Sequence, residues 1–227
     1  MAVMKTAFWQ GLIKQNSGKL DIVERINEII FGLIIVLTFT CTFNIATGGR
    51  HDVSTVLWAA LGCNVAWGII DSCIYIFSVM MYRGMSLDVI HLIRNAPNED
   101  VANEAIRDAL PTIMTTLLKE EHYTYFRNEI KKLPEPPKKA FVVWLDILGA
   151  LKVFLLVFIS TFPVAIPFIF MSDTFLATRV SNGIALALLF ANGYFFGIKT
   201  HYNPLKTAFV LMLIGAALVL ITIALGG

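Results

Sequence analysis

Charged residues are scarce in this chain of 227 residues, at 15% against roughly 25% in soluble domains. Hydrophobic residues make up 57%, and the mean hydropathy is +0.72. This leaves too little polar surface to coat a soluble globule, which excludes a soluble enzyme and a disordered chain. With three cysteines a disulfide scaffold is excluded, and a net charge of +2 argues against a nucleic-acid binder. The remaining class is an integral membrane protein.

Five stretches with almost no charged residues predict membrane-spanning helices, because a bilayer core takes about 20 apolar residues to cross. Asp71 is the one charged residue inside them. Each stretch is too long for an ordinary core strand and lacks the alternation of a barrel strand. We therefore expect an all-α integral membrane protein with five transmembrane helices, over residues 29–49, 53–82, 153–172, 180–198 and 207–227.

Lys and Arg are distributed unequally between the predicted loops. If the N-terminus lies inside, fifteen of them fall on the cytoplasmic side, and only Arg50 and Arg179 fall on the other side. Because cytoplasmic loops carry the excess of positive residues, we expect a cytoplasmic N-terminus and a C-terminus on the opposite side. The pattern does not distinguish a cell inner membrane from an organelle membrane.

The predicted spans divide the chain into four parts. Residues 1–28 are predicted to form an interfacial amphipathic segment, with the rings of Phe8 and Trp9 at headgroup level. Transmembrane helices 1 and 2 occupy residues 29–82, a cytoplasmic helical insert occupies 83–140, and transmembrane helices 3 to 5 occupy 141–227. We expect two or three short helices in the insert.

Local signals within the insert predict where these helices begin and end. Asn98, followed by two acidic residues, predicts a helix N-cap. Pro111 predicts a kink or a restart of the helix, and residues 133–137 predict a stiff proline-rich linker. Glu120, Glu121 and His122 are a candidate cytoplasmic metal site. Their spacing matches no strong metal motif, and a solvated helix face is the alternative interpretation.

Asp71 is the most informative residue of the predicted spans. A charged residue at the bilayer centre costs about 2.5–3.5 kcal/mol on insertion scales, so an acid there is a functional candidate. Asn64, Gly68, Tyr75 and Ser78 share one helix face with it and form a small, polar stripe. This stripe predicts either the lining of an ion pathway or a hydrogen-bonded seam between helices.

Glu28 begins the first predicted span, at a depth close to that of Asp71. Counted from the outer helix ends at about 1.5 Å per residue, the two acids lie about 30 Å and about 26 Å deep. Antiparallel neighbouring helices would hold them within one turn of each other, an arrangement that suits exchange of a proton for a cation. The alternative role of Glu28 is to pair with Arg25 at the helix entry.

The sequence contains no GxSxG, HExxH, Walker or CxxC motif, and its spans lack the paired aspartates of an intramembrane protease. We expect no enzymatic activity and no resident cofactor.

Several segments carry a family resemblance. They are residues 28–33 with the following Thr38 and Phe39, residues 66–68, the proline-rich residues 162–167, and residues 203–205. Together with the layout of two spans, a helical insert and three more spans, they make the chain similar to the vacuolar iron transporter family. The resemblance covers most of residues 20–227.

The resemblance implies a homodimer in which the first two spans of each subunit line a pathway for ferrous or manganous ion, exchanged for protons. It also implies that glutamates of the cytoplasmic helices gather metal. The family's first-span aspartate corresponds to Phe31 here, its second-span glutamate to Asn64, and its methionine to Ser72.

We therefore predict proton antiport of divalent metal, with Asp71 and Glu28 as metal ligands. The predicted pathway lining is Asn64, Gly68, Ser72 and Tyr75. Two alternatives remain open: a non-transporting structural or regulatory membrane protein, and an ion channel without proton coupling.

Overall fold

The computed structural model describes residues 8–13, 18, 22–46 and 53–226, and all the regular structure in these residues is helical. We number the helices in chain order. They are α1 (8–13), α2 (Ile22–Ala46), α3 (Val53–Asn95), α4 (Glu99–Ala109), α5 (Thr112–Leu117), α6 (Glu120–Lys132), α7 (Trp144–Ala165), α8 (Pro167–Phe170), α9 (Thr174–Lys199) and α10 (Pro204–Gly226).

Four helices in the described part of the chain are long and apolar enough to cross a membrane. They are Val53–Asn95, Trp144–Ala165, Thr174–Lys199 and Pro204–Thr222, which correspond to predicted spans two to five. The all-helical class expected from the sequence is confirmed for the described residues, and these four helices are consistent with a membrane protein. Most of the first predicted span lies in α2, and its last residues, 47–49, fall outside the described ones. A fifth crossing therefore stays a prediction.

Helix α3 is longer than the predicted second span, which ended at Tyr82. It continues without a break to Asn95, for 43 residues and about 64 Å. No proline occurs before Pro97, and Leu87 and Ile93 are buried on the extended part. The charged residues after Tyr82 thus mark a change of surroundings and not the end of the helix.

Helix α7 begins nine residues before the predicted third span, at Trp144, and includes Asp146 in its first turn. Pro163 lies inside it, and the helix ends two residues later, before Pro167 opens α8. The carbonyl of Val164 at this break accepts a hydrogen bond of 2.7 Å from the buried Ser181 hydroxyl. Ser181 thereby satisfies a backbone group that a continuous helix would have used itself.

The chain divides into two compact units. The bundle unit comprises the described residues from 22 to 74 together with those from 149 onward. Its core is formed by side chains of α2, α7 and α9: Leu33, Val36, Leu37, Val164, Ala185 and Leu189. Gly193 and Gly197 bring α9 against α10 so closely that a Cβ at either position would lie 2.8 Å or less from a backbone atom of Ala208 or Pro204. The glycine pair in the predicted fourth span therefore mediates a close helix contact.

The insert unit comprises Tyr75–Leu148 and the described part of the first 19 residues. Asn98 caps α4 as predicted, accepting a hydrogen bond of 2.9 Å from the Val101 amide. Pro111 separates α4 from α5, so the helix restarts. Residues 133–137 form the predicted linker between α6 and α7. A small core lies between these helices, formed by Ile93, Ala102, Ala105, Ile106 and Tyr123.

Trp9 differs from its predicted position at the lipid headgroups. Its side chain is 3% exposed, and its indole Nε1 donates a hydrogen bond of 3.1 Å to the carbonyl of Glu135 in the linker. Phe8 packs edge-on against it and is half-exposed. The ring of Trp9 therefore packs within the insert unit. A carbonyl of the linker accepts a hydrogen bond from the indole N–H, which is the only polar group of the ring.

Candidate functional site

Two carboxyl groups meet between α2 and α3. Glu28 lies in the second turn of α2 and Asp71 near the middle of α3, and their side chains are in hydrogen-bond contact. The structure thus brings together the two acids whose depths were predicted to match. Asp71 is 4% exposed and Glu28 is half-buried. A hydrogen bond between two carboxyl groups requires a proton on one of them, because an ionised carboxylate can only accept.

Two buried polar atoms at this site have no hydrogen-bond partner in the described part of the chain: Oδ2 of Asp71 and Nδ2 of Asn64. Asn64 lies two turns before Asp71 on the same helix face and is 2% exposed. A buried polar group without a partner costs about 1–3 kcal/mol. The site therefore retains capacity to accept and to donate hydrogen bonds, and its oxygen atoms retain capacity to bind an ion.

The polar stripe of α3 faces protein within the bundle unit. Asn64, Gly68 and Asp71 are buried, whereas Ile69 and Ile74 on the other side of the helix are each more than half exposed. Tyr75 continues the stripe one turn beyond Asp71 and is half-buried. The helical periodicity read from the sequence therefore identified the inward face of α3.

Two of the predicted lining residues are used for contacts between helices. A Cβ added at Gly68 would lie 2.8 Å from Cδ2 of Phe154 on α7. The Ser72 hydroxyl contacts the carbonyl oxygen of Ala150 at 2.8 Å and that of Gly68 at 2.7 Å. These contacts join α3 to α7 on one flank of the stripe. Asn64 and Asp71 remain as the buried polar groups without a complete set of partners.

Two aromatic rings, one on α2 and one on α3, form a contact that the sequence did not predict. Phe31 follows Glu28 by about one turn on α2, and Trp67 precedes Asp71 by about one turn on α3. Their ring centroids are 6.0 Å apart at an interplanar angle of 87°, an edge-to-face contact. The one-turn spacing of each aromatic residue from an acid was the sequence signal that could have indicated this contact. This contact joins α2 to α3 about one turn from each acid along its helix.

Gly32 provides a close contact between α2 and α7. A Cβ at this position would lie 3.2 Å from the Thr161 side chain, and Thr161 is fully buried with its hydroxyl bonded to its own helix. Because α7 contacts α2 at Gly32 and α3 at Gly68, the three helices meet around the acid pair.

Asp146 lies in the first turn of α7, where its side chain is fully buried and paired with Arg83 in the insert unit. A pairing over such a sequence separation leaves no local pattern. Asp146 therefore belongs to the packing of α3 against the start of α7.

The candidate cytoplasmic metal site is not assembled by the structure. Nδ1 of His122 accepts a hydrogen bond of 3.0 Å from the Lys119 amide at the start of α6. The Glu120 carboxylate contacts Arg107 and Asn103, at 3.4 Å and 3.3 Å. Glu121 is exposed. Consecutive helical residues point in different directions, so these three side chains do not converge.

Among the described residues, no group of three or more His, Cys, Asp or Glu side chains lies close enough together to hold a metal ion. Within one chain, Glu28 and Asp71 provide two carboxylates, and Asn64 adds an amide oxygen two turns away. Hard divalent cations take six or more oxygen ligands. One chain alone therefore supplies an incomplete site.

No model of a known protein family matches the chain, and no curated protein matches it.

Proposed function

We propose that this protein transports divalent metal ions, ferrous or manganous, across a membrane in exchange for protons. The observation that carries the proposal is the hydrogen-bonded pair of Glu28 and Asp71 between apolar helices. An acid pair in such surroundings costs stability, so it is expected where an ion or proton must be bound. The similarity of several segments to the vacuolar iron transporter family supports the same function.

The shared proton provides a means of coupling. When the two carboxyl groups share one proton, the pair carries a single negative charge. A divalent cation that binds both carboxylates displaces that proton, and the proton rebinds when the cation leaves. Because proton and cation compete for the same oxygen atoms, each passage of metal in one direction permits a proton to move in the other.

A two-fold symmetric dimer is part of the proposal. Two copies would bring four carboxylates and two Asn64 amide oxygens toward one pathway, which meets the ligand number of a hard cation. We further propose five membrane crossings with the N-terminus in the cytoplasm, because Lys and Arg are concentrated in the loops on that side.

The competing function is that of a structural or regulatory membrane protein, in which the stripe is only a packing seam. The contacts of Gly68 and Ser72 with α7 favour it for that part of the stripe. They do not extend to Asp71, whose Oδ2 has no partner in the described chain. A channel without proton coupling would use the same acids but would need no pH gradient.

The test is uptake of ferrous and manganous ion into proteoliposomes with an imposed pH gradient. We expect gradient-driven uptake by the wild type and at least a tenfold loss in Asp71→Asn and in Glu28→Gln. Cys73→Ser is the matched control, because Cys73 lies two residues from Asp71 and is exposed.

Light scattering of each purified variant would verify that the oligomer is intact. Loss of the oligomer together with uptake in Asp71→Asn would favour the seam. Wild-type uptake that does not depend on the pH gradient would favour a channel. No uptake by well-folded wild type would contradict the transport proposal.

A further inference from the structure

A polar pocket of about 400 Å³ lies in the insert unit, between the end of α3 and the linker that follows α6. This volume is within the range of pockets that hold small ligands. The lining residues are His91, Arg94 and Asn95 of α3 and residues 133–136 of the linker. None of them belongs to the acid pair, so the pocket is a second site.

Arg94 is held in position by backbone carbonyls. Its Nη1 donates to the carbonyl of Leu133 at 2.7 Å and to that of Ile130 at 3.3 Å, and the side chain is half-buried. No carboxylate among the described residues forms an ion pair with it. Neutral carbonyls orient the guanidinium without cancelling its charge, so Nη2 and Nε remain able to bind an anion.

Two neighbouring side chains add polar groups to the wall. Nε2 of His91 lies 3.4 Å from the carbonyl oxygen of Pro137, and Nδ2 of Asn95 donates to the His91 carbonyl at 2.9 Å. Glu135 is the one acidic residue of the lining, and its side chain is exposed. The backbone of the same residue is fixed by the hydrogen bond from Trp9.

Exposed lysines flank the lining segment on both sides along the chain. Lys131 and Lys132 precede residue 133, and Lys138 and Lys139 follow residue 136. Lys132 pairs with Glu129 at 2.6 Å. Residues 129–139 carry four lysines against two acidic residues, Glu129 and Glu135. The excess positive charge favours an anionic ligand near the pocket.

We infer that this pocket binds a phosphate monoester group, with Arg94 as its principal contact. A guanidinium presents parallel N–H donors that match the oxygen atoms of a phosphate, and such charge-assisted bonds are among the strongest in proteins. The same chemistry is offered by the headgroup of an anionic phospholipid and by a small soluble phosphate. For a membrane protein with lysines beside the pocket, both sources are chemically available.

Calorimetric titration of the purified full chain in neutral detergent would test this inference. The probes are dioctanoyl phosphatidic acid, inorganic phosphate and, as a zwitterionic control, dioctanoyl phosphatidylcholine. We expect saturable binding of at least one of the first two probes and none of the third. Phosphatidic acid alone would identify a lipid headgroup as the source, and inorganic phosphate of similar affinity would identify a soluble phosphate.

Variants locate the binding. Arg94→Gln should weaken it about tenfold or more, since it removes a charged hydrogen-bond donor. The double variant K138Q/K139Q changes only exposed residues and should weaken binding by a smaller factor. If Arg94→Gln folds poorly, this double variant still tests whether binding depends on positive charge beside the pocket. Arg179→Gln removes a positive charge in the bundle unit and should have no effect.

Absence of binding by both phosphate probes would overturn the inference, as would equal weakening by Arg179→Gln and the pocket variants. Neither the probes nor the readout involves metal transport, so this result is independent of the proposed function.

Discussion

Arg83 and Asp146, 63 residues apart in sequence, form a two-pronged ion pair. Nη1 of Arg83 lies 2.6 Å from Oδ2, and Nη2 lies 2.7 Å from Oδ1. Oδ2 also accepts a hydrogen bond from the Val143 amide at 2.7 Å, and Nη1 donates to the carbonyl of Phe141 at 2.7 Å. The Asp146 side chain is 0% exposed, so its charge depends on these partners. The pair fixes the start of α7 to α3.

Asp146→Asn should destabilise the protein strongly, because it leaves the Arg83 guanidinium largely buried without its counter-charge. Breaking a buried pair in this way costs about 3–5 kcal/mol. The measurement is the midpoint of thermal unfolding in detergent. Lys132→Gln is the control, since it removes the exposed pair with Glu129 and should change the midpoint little. Similar midpoints for the two variants would contradict the importance of the pair.

Asn64→Leu should separate function from stability. Nδ2 of Asn64 is buried without a partner, so an apolar side chain with the same number and branching of heavy atoms should leave the thermal midpoint unchanged or raise it. If Asn64 lines the proposed pathway, gradient-driven metal uptake should fall about tenfold, as for the loss of a supporting ligand at a metal site. Reduced stability with unchanged uptake would instead assign Asn64 to packing.

Gly193→Ala should loosen the contact between α9 and α10. Its added methyl group would lie 2.8 Å from Cα of Ala208 and 2.9 Å from the Thr207 carbonyl oxygen, which are backbone atoms that cannot turn aside. Overpacking of this kind costs about 1–3 kcal/mol. Gly183→Ala, in the same helix, has no atom within 4 Å of the new methyl group and should be neutral. Unfolding midpoints of the two variants would be compared, and equal midpoints would argue against the close contact.

Trp9→Ala should destabilise the insert unit by about 3–5 kcal/mol, because it empties a buried site. Trp9→Phe keeps most of the ring volume and loses the hydrogen bond to Glu135, so a loss nearer to about 1 kcal/mol is expected. Phe8→Ala, at a half-exposed neighbour, should have a smaller effect than Trp9→Ala. Near-ultraviolet circular dichroism would follow the unfolding. If Trp9→Ala retained full stability, docking of α1 on the linker would be contradicted.

Features that depend on local pattern were predictable from the sequence. The apolar runs predicted the four helices that can cross a membrane, and the residues around Asn98 and Pro111 predicted a helix start and a helix break. The spacing of Asn64, Gly68 and Asp71 identified the inward face of α3. Each of these signals lies within a few turns of one helix, where periodicity and capping chemistry are sufficient.

Features that depend on distant residues were not predictable. Nothing near Asp146 in the sequence indicates that Arg83 is its partner. The residues around Trp9 have the composition of a headgroup anchor. Only the folded structure shows that the Glu135 carbonyl accepts a hydrogen bond from the Trp9 ring. The contact of Ser72 with Ala150 likewise joins two helices, and no local pattern in the sequence indicates that these helices are neighbours. The contact of Glu28 with Asp71 was predictable from the matching depths of the two acids, since α2 and α3 are consecutive in the chain.

The core of the bundle unit has a consequence for the order of biosynthesis. Leu33 and Leu37 of α2 pack against Val164, Ala185 and Leu189, and Gly215 of α10 lies next to Leu189 and Leu37. These partners are made more than 120 residues after Leu37. Helices α9 and α10, in contrast, are joined by a four-residue connection and can pair as soon as both exist. The face of α2 that carries Leu33 and Leu37 is thus covered late in synthesis, and until then it must be shielded by lipid or by a chaperone.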